Sequence, residues 1–210
     1  YGLRLFLENG GRGLKLPILI AYFKWSETNP LVLRKKILFR GVGVQLAPRY
    51  LRSPKPLEAG SEYAVNDLLL RMTAYGDNDA YTLLMSNLSP AYLHKIAKDL
   101  YVNYDPAVTS DSLTLSAYAS YFRVLFNASY LSEEMSEKAL RYLARSVFRD
   151  GMASGIPADI DIASKTGERV IKRVDSEGVP ADVLQLHEFG IIYHPERQFL
   201  LGVTARGGDF

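Results

Sequence analysis

Cysteine is missing altogether from the 210 residues, and that single absence removes disulfide frameworks, thiolate metal sites and cysteine nucleophiles while leaving the redox compartment open. Histidine is scarce, with three in all; His94, His187 and His194 fall on a helix and at strand ends without the spacing of a metal-ligand set, and His194-Pro195 reads as a turn. No metal and no cofactor is called for. Long apolar runs are lacking too. The longest, Leu16 to Phe23, falls far short of the roughly 20 residues that span a bilayer. No charged-then-apolar leader precedes it, although the chain opens directly on strand-like Leu3 to Leu7, as it would if a leader or anchor had been removed upstream. Neither charge is in excess: 25 Lys+Arg against 23 Asp+Glu leave a net charge of +2. A nucleic-acid protein would gather basic residues on one face. The densest basic stretch here, Arg34-Lys35-Lys36, continues a helical segment and reads as a solvated face. Internal repeats and low-complexity segments are absent.

What is present is enough to build a core. With 48% hydrophobic and 23% charged residues, the chain reads as one globular domain. Residues 1–8 alternate like a strand before the turn signal Asn9-Gly10-Gly11. Leu14 to Trp25 reads as a buried helix with Pro17 in its first turn, where a missing N–H costs little. Residues 40–62, rich in Gly, Pro and Arg, look like a loop. Helices are predicted at Val65–Met72, Asp79–Asn87, Pro90–Leu100 behind Ser89, Leu113–Phe126, and Glu133–Val147 behind Ser132. Strands follow at Ile160–Thr166, Leu186–Tyr193 and Phe199–Ala205, the last two joined by His194-Pro195-Glu196-Arg197. A lone N-terminal strand would leave its backbone groups unpaired, so it is expected to share a sheet with the C-terminal strands. The expected class is α/β (α+β): an antiparallel sheet of N- and C-terminal strands (1–13 and 156–210) with an inserted helical region (14–155).

Three clusters combine chemistry-bearing residues. Lys15 sits in the opening turn of the apolar helix, an odd place for a cation unless something faces it; the plain alternative is a snorkelling or capping lysine. Tyr75-Gly76-Asp77-Asn78 lies between two helices, where Asp and Asn would serve as caps. Lys165-Thr166-Gly167 ends a buried strand. There it could simply blunt a sheet edge and open a turn, or it could recognise an anion with a charge, a hydroxyl and a bare backbone.

In this order the clusters resemble the serine β-lactamase and penicillin-binding protein superfamily, whose signature is S-x-x-K, S-D-N and K-T-G. The likeness covers nearly the whole chain. "LKLPILIAYFK" looks like the helix that carries the nucleophile in class A β-lactamase-like proteins, "VNDLLLRMTAYGDNDAYTLL" like their helix, SDN loop and following helix, and "LHEFGIIYHPERQFLLGVTARG" like their final two strands. The resemblance implies a β-lactamase/transpeptidase-like fold and an acyl-enzyme acting on a β-lactam or D-Ala-D-Ala-type peptide that bears a carboxylate. Lys15 would be the general base, its pKa lowered by burial and by Lys165. Asn78 would hold the substrate amide and Lys15, and Asp77 would anchor the loop from beneath. Lys165 and Thr166 would receive the carboxylate, with Gly167 leaving room for it. The resemblance also implies an extracytoplasmic location and no cofactor.

The sequence departs from that pattern in four places. Three before Lys15 stands Arg12 rather than serine, and arginine cannot be acylated; one expectation is that a stretch carrying the serine is omitted between Arg12 and Gly13. Gly76 takes the place of the S-D-N serine that relays a proton. Tyr75 is adjacent and could reach the site, but its spacing to Asn78 is not that of the related Tyr-x-Asn motif. From Tyr101 to Ser132 no glutamate is present to activate a hydrolytic water, and Asp105 and Asp111 read as turn formers, so slow deacylation is expected. Finally, both ends stop on strands without the family's covering helices, so the domain is expected to be incomplete there or covered by a partner. A binding module that kept the cradle and lost the chemistry is the alternative.

Overall fold

The computed structural model describes residues 4–6, 15–41, 53–100, 112–174 and 180–207. Its first helix, α1 (Lys15–Thr28), is buried all round over its first nine residues: Leu16, Ile18, Leu19, Ile20, Tyr22 and Phe23 are all enclosed. A helix that is apolar all round must be enclosed by other elements. Those are α2 (Val65–Ala74), α3 (Asn78–Ser86), α4 (Pro90–Asp99) and α6 (Glu133–Ala144), all in contact with α1. Each fully buried side chain of this kind contributes about 1.5–3 kcal/mol. Tyr22 tolerates the dry core because its hydroxyl donates to the Leu84 carbonyl at 2.9 Å; burial pushes its pKa up. The helix ends follow local chemistry. Asp77 caps α3 through its side chain and Ser132 caps α6 by accepting from Met135 N–H at 3.3 Å. Ser89 precedes α4 without a side-chain cap bond, Pro90 setting the first turn instead.

The C-terminal part is an antiparallel meander, β5 (Ile162–Val174), β6 (Pro180–Ile192) and β7 (Phe199–Gly207), with β5 at one edge and β6 central. The pairs Lys165↔Phe189 and Gly167↔His187 share one face, and Ser164↔Gly190 and Thr166↔Glu188 the other. The helix α5 (Leu115–Phe126) covers the first face, where Tyr118 meets the His187 and Phe189 rings at 5.8 and 5.1 Å. On the second face β7 leaves Phe199, Leu201 and Val203 exposed by 44%, 37% and 47%.

The mixed class and the inserted helical region agree with the sequence reading, while three details differ. Among the described residues the N-terminal strand β1 (Arg4–Phe6) pairs with β4 (Ser112–Thr114), just ahead of α5, and not with the C-terminal strands; so short a segment needs only one partner to pair its backbone groups. The Arg34-Lys35-Lys36 stretch does not continue a helix: after a 3₁₀ turn (Pro30–Arg34) the chain extends as β2 (Lys36–Leu38) and pairs with β3 (Glu62–Ala64), which begins on the last residue of the 40–62 segment read as loop. The strands β5 and β6 also run further than predicted, because cross-strand pairing continues to Val174↔Pro180. Asn9-Gly10-Gly11, Arg12, Gly13, Asp105 and Asp111 lie outside the described residues.

Candidate functional site

Lys15 is the first described residue of α1 and is buried. Its Nζ donates to the Gly76 carbonyl at 2.6 Å and to Asn78 Oδ1 at 2.9 Å. A cation placed in an apolar helix therefore faces the loop between α2 and α3, which places two oxygens against it. The loop owes its shape to three neighbours. Tyr75 closes α2, its N–H donating to the Arg71 carbonyl at 3.0 Å. Gly76 takes a φ of +67°, the left-handed region that glycine enters without strain. Asp77 is buried, and its Oδ1 accepts from the N–H groups of Asp79 at 2.9 Å and Ala80 at 3.0 Å. Its Oδ2 is buried without a hydrogen-bond partner among the described residues. Burial and the Asp77 charge raise the Asp79 carboxyl above its usual range.

Lys165, Thr166 and Gly167 occupy the edge strand β5, with Lys165 Nζ donating to the Thr166 carbonyl at 3.1 Å. Burial pushes the Lys165 ammonium down to about 8, against the opposing charge of Glu188. The first cause is desolvation. Thr166 Oγ1 is buried and has no hydrogen-bond partner among the described residues. Beside Gly167 the space on the α5 side is held by the His187 ring: a Cβ at position 167 would lie 2.3 Å from His187 Cε1 and Nε2. Burial, then the Lys165 charge, pushes His187 down to about 4, so its imidazole is neutral near pH 7.

The structure thus joins Lys15, Gly76 and Asn78 through direct bonds, sets Asp77 beneath them as a cap and leaves the Tyr75 side chain half-buried alongside. It gathers Lys165, Thr166 and Gly167 with His187 and Glu188. Sequence reasoning passed over Glu188 and Ser164. Glu188 is buried, accepting from Ser164 Oγ at 2.8 Å and from Met152 N–H at 2.7 Å. The one signal in the sequence was a carboxylate inside an apolar strand. Among the described residues no group of three or more potential metal ligands occurs, and no helix is long and apolar enough to cross a membrane.

Residues 14–209 match the beta-lactamase enzyme family. No curated protein matches the chain. Among solved structures, the β-lactamase from Burkholderia phymatum superposes with a TM-score of 0.75 at 17% identity, covering 99% of this chain and 76% of that one. The β-lactamase from Francisella tularensis gives 0.72 at 17% identity, covering 97% and 78%. A variant of PBP-A, solved as an acyl-enzyme complex with penicillin G, gives 0.67 at 19% identity, covering 97% and 79%. At these identities the structures establish a shared fold.

Proposed function

Because the chain belongs to the beta-lactamase enzyme family, we propose that it is a serine hydrolase or acyltransferase that acts on β-lactams or D-Ala-D-Ala-type peptides through a slowly released acyl-enzyme. The observation that carries this reading is the buried Lys15 amine held against Gly76 O and Asn78 Oδ1 at 2.6 and 2.9 Å. The reading requires a serine one helical turn before Lys15 in the intact protein, a position filled by Arg12 in this sequence. Its oxygen attacks the substrate carbonyl as Lys15 takes the proton, and the proton passes on to the leaving nitrogen when the carbon–nitrogen bond breaks. Asn78 orients the substrate amide. Lys165 and Thr166 draw in the carboxylate along the β5 edge. Hydrolysis of the acyl-enzyme is slow because the segment from Tyr101 to Ser132 offers no glutamate to activate water. Peptides and β-lactams of this kind are met at the cell envelope, which supports an extracytoplasmic location as part of this reading.

One observation favours a second reading, a catalytically silent binding module. The left-handed Gly76, with its φ of +67°, stands where the proton-relaying serine is expected and disfavours any side chain there. A fluorescent penicillin separates the two readings. The enzyme acquires a label that survives denaturation and persists for far longer than ordinary turnover, since general-base help is worth about 10²–10⁴-fold. A module binds the penicillin reversibly and acquires none. Rapid multiple turnover of a chromogenic cephalosporin contradicts slow deacylation.

A further inference from the structure

We propose that residues 147–152 are a strap fixing the spacing between the Tyr75–Asn78 loop and the Lys165–Gly167 strand, and that Glu188 is the positioning residue that holds the strap's sheet end. The inference rests on reading those two groups as opposite walls of one cleft. At the helical end, Val147 N–H donates to the Ala74 carbonyl at 3.0 Å, one residue before the loop begins. At the sheet end, Met152 N–H donates to Glu188 Oε2 at 2.7 Å while Ser164 Oγ donates to Oε1 at 2.8 Å. Both oxygens of a buried carboxylate are thereby engaged, one by the strap and one by the strand that carries Lys165.

The fit at that end is close. A Cβ on Gly151 would lie 2.0 Å from Glu188 Oε2 and 2.7 Å from Phe148 Cε1, so the strap reaches the carboxylate only with bare backbone at this position. Ser154 keeps the turn after it closed, its N–H and hydroxyl both donating to the Gly151 carbonyl at 3.1 and 2.7 Å. Gly190 serves the same junction from β6, since a Cβ there would meet Ser164 Cβ at 2.8 Å. Charge-assisted bonds of this length are about twice as strong as neutral ones. Removing the carboxylate strands the buried Ser164 hydroxyl and the part-buried Met152 N–H. Glu188 lies directly opposite Thr166 in the register, so a shift of the strap's end reaches the carboxylate-binding side of the cleft. Its charge also sustains the Lys165 ammonium against burial.

The test is amide hydrogen exchange on the full chain, comparing the wild type with Glu188→Ala, Glu188→Gln and Gly151→Ala. The expected result is that the Met152 and Val147 amides speed up together, by about tenfold or more, while the α1 amides keep their rates. Glu188→Gln, which retains the shape and one acceptor, should act in the same direction and remains informative if Glu188→Ala does not fold. Acceleration at Met152 alone, or at neither amide, overturns the strap. In parallel, the concentration of fluorescent penicillin giving half-maximal labelling should rise at least fivefold in Glu188→Gln, with the limiting labelling rate changed less than twofold. An unchanged half-maximal concentration overturns the positioning role. A wild-type chain that binds no penicillin at all overturns the functional reading of the walls, and the exchange result then decides the strap by itself.

Discussion

Lys165 illustrates how one buried side chain sets a working range. Its folded pKa, about 8, lies below the 10.5 of a free lysine. Between those values the unfolded chain binds the extra proton, so this residue makes folding more favourable as pH rises through that window. In the carboxylate-binding role proposed for Lys165, ligand binding moves the opposite way, because a neutral amine no longer attracts a carboxylate. Affinity for a carboxylate ligand should therefore fall above pH 8, by up to about tenfold per unit, and Lys165→Arg should flatten the profile, as an equilibrium binding titration from pH 6 to 10 would reveal. Gly76 carries a second residue-scale prediction. Restoring the serine that the signature calls for, Gly76→Ser, puts a side chain at a φ of +67°, at a cost of roughly 1–2 kcal/mol. For a chain of this size the melting temperature should drop by about 2–8 °C; an unchanged melt would mean the loop relaxes freely. The Lys15–Asn78 contact was legible in the sequence because a cation in an apolar helix needs an acceptor and the motif order named one. The left-handed φ was not, since glycine fits many conformations and declares none of them. Glu188 was hidden for another reason: its partner Ser164 meets it only through the register of two paired strands.

Pairs of strands define the next scale. The join between β5 and β6 is tight where small residues face large ones, with Gly167 under the His187 ring. Gly167→Ala alone should destabilise the protein by about 1–3 kcal/mol through overpacking. His187→Ala opens the space, and in the double variant much of the Gly167→Ala penalty should disappear. A double-mutant cycle by urea denaturation measures the difference, and simple additivity would show that the ring swings aside at no cost. Long elements could be read from the chain. The helix α1 was marked by its apolar run and Pro17, and the β6–β7 hairpin by His194-Pro195. The β2–β3 ribbon was not, because three-residue strands carry too little pattern and their pairing joins Lys36 to the distant Ala64. The same holds for β1, whose partner β4 lies in a stretch that reads as the start of α5.

At the scale of the whole molecule, two apolar surfaces have opposite fates. The face of β7 that carries Phe199, Leu201 and Val203 meets solvent. An exposed row of this kind invites association. Replacing Leu201 and Val203 with lysine should lower binding of a hydrophobic dye and the aggregated fraction in light scattering, with the melting temperature held within a few degrees; unchanged dye binding would place the apolar surface elsewhere. The helix α1 is the other surface, buried from Lys15 to Phe23 among elements that include α2, α3, α4 and α6. All four of its covers come later in the sequence, the last ending at Ala144. During synthesis at about 5–20 residues per second, the greasiest segment of the domain therefore emerges well before its enclosure and waits on the order of ten seconds for it. Through that interval the apolar residues of α1 are without the contacts that bury them in the folded domain.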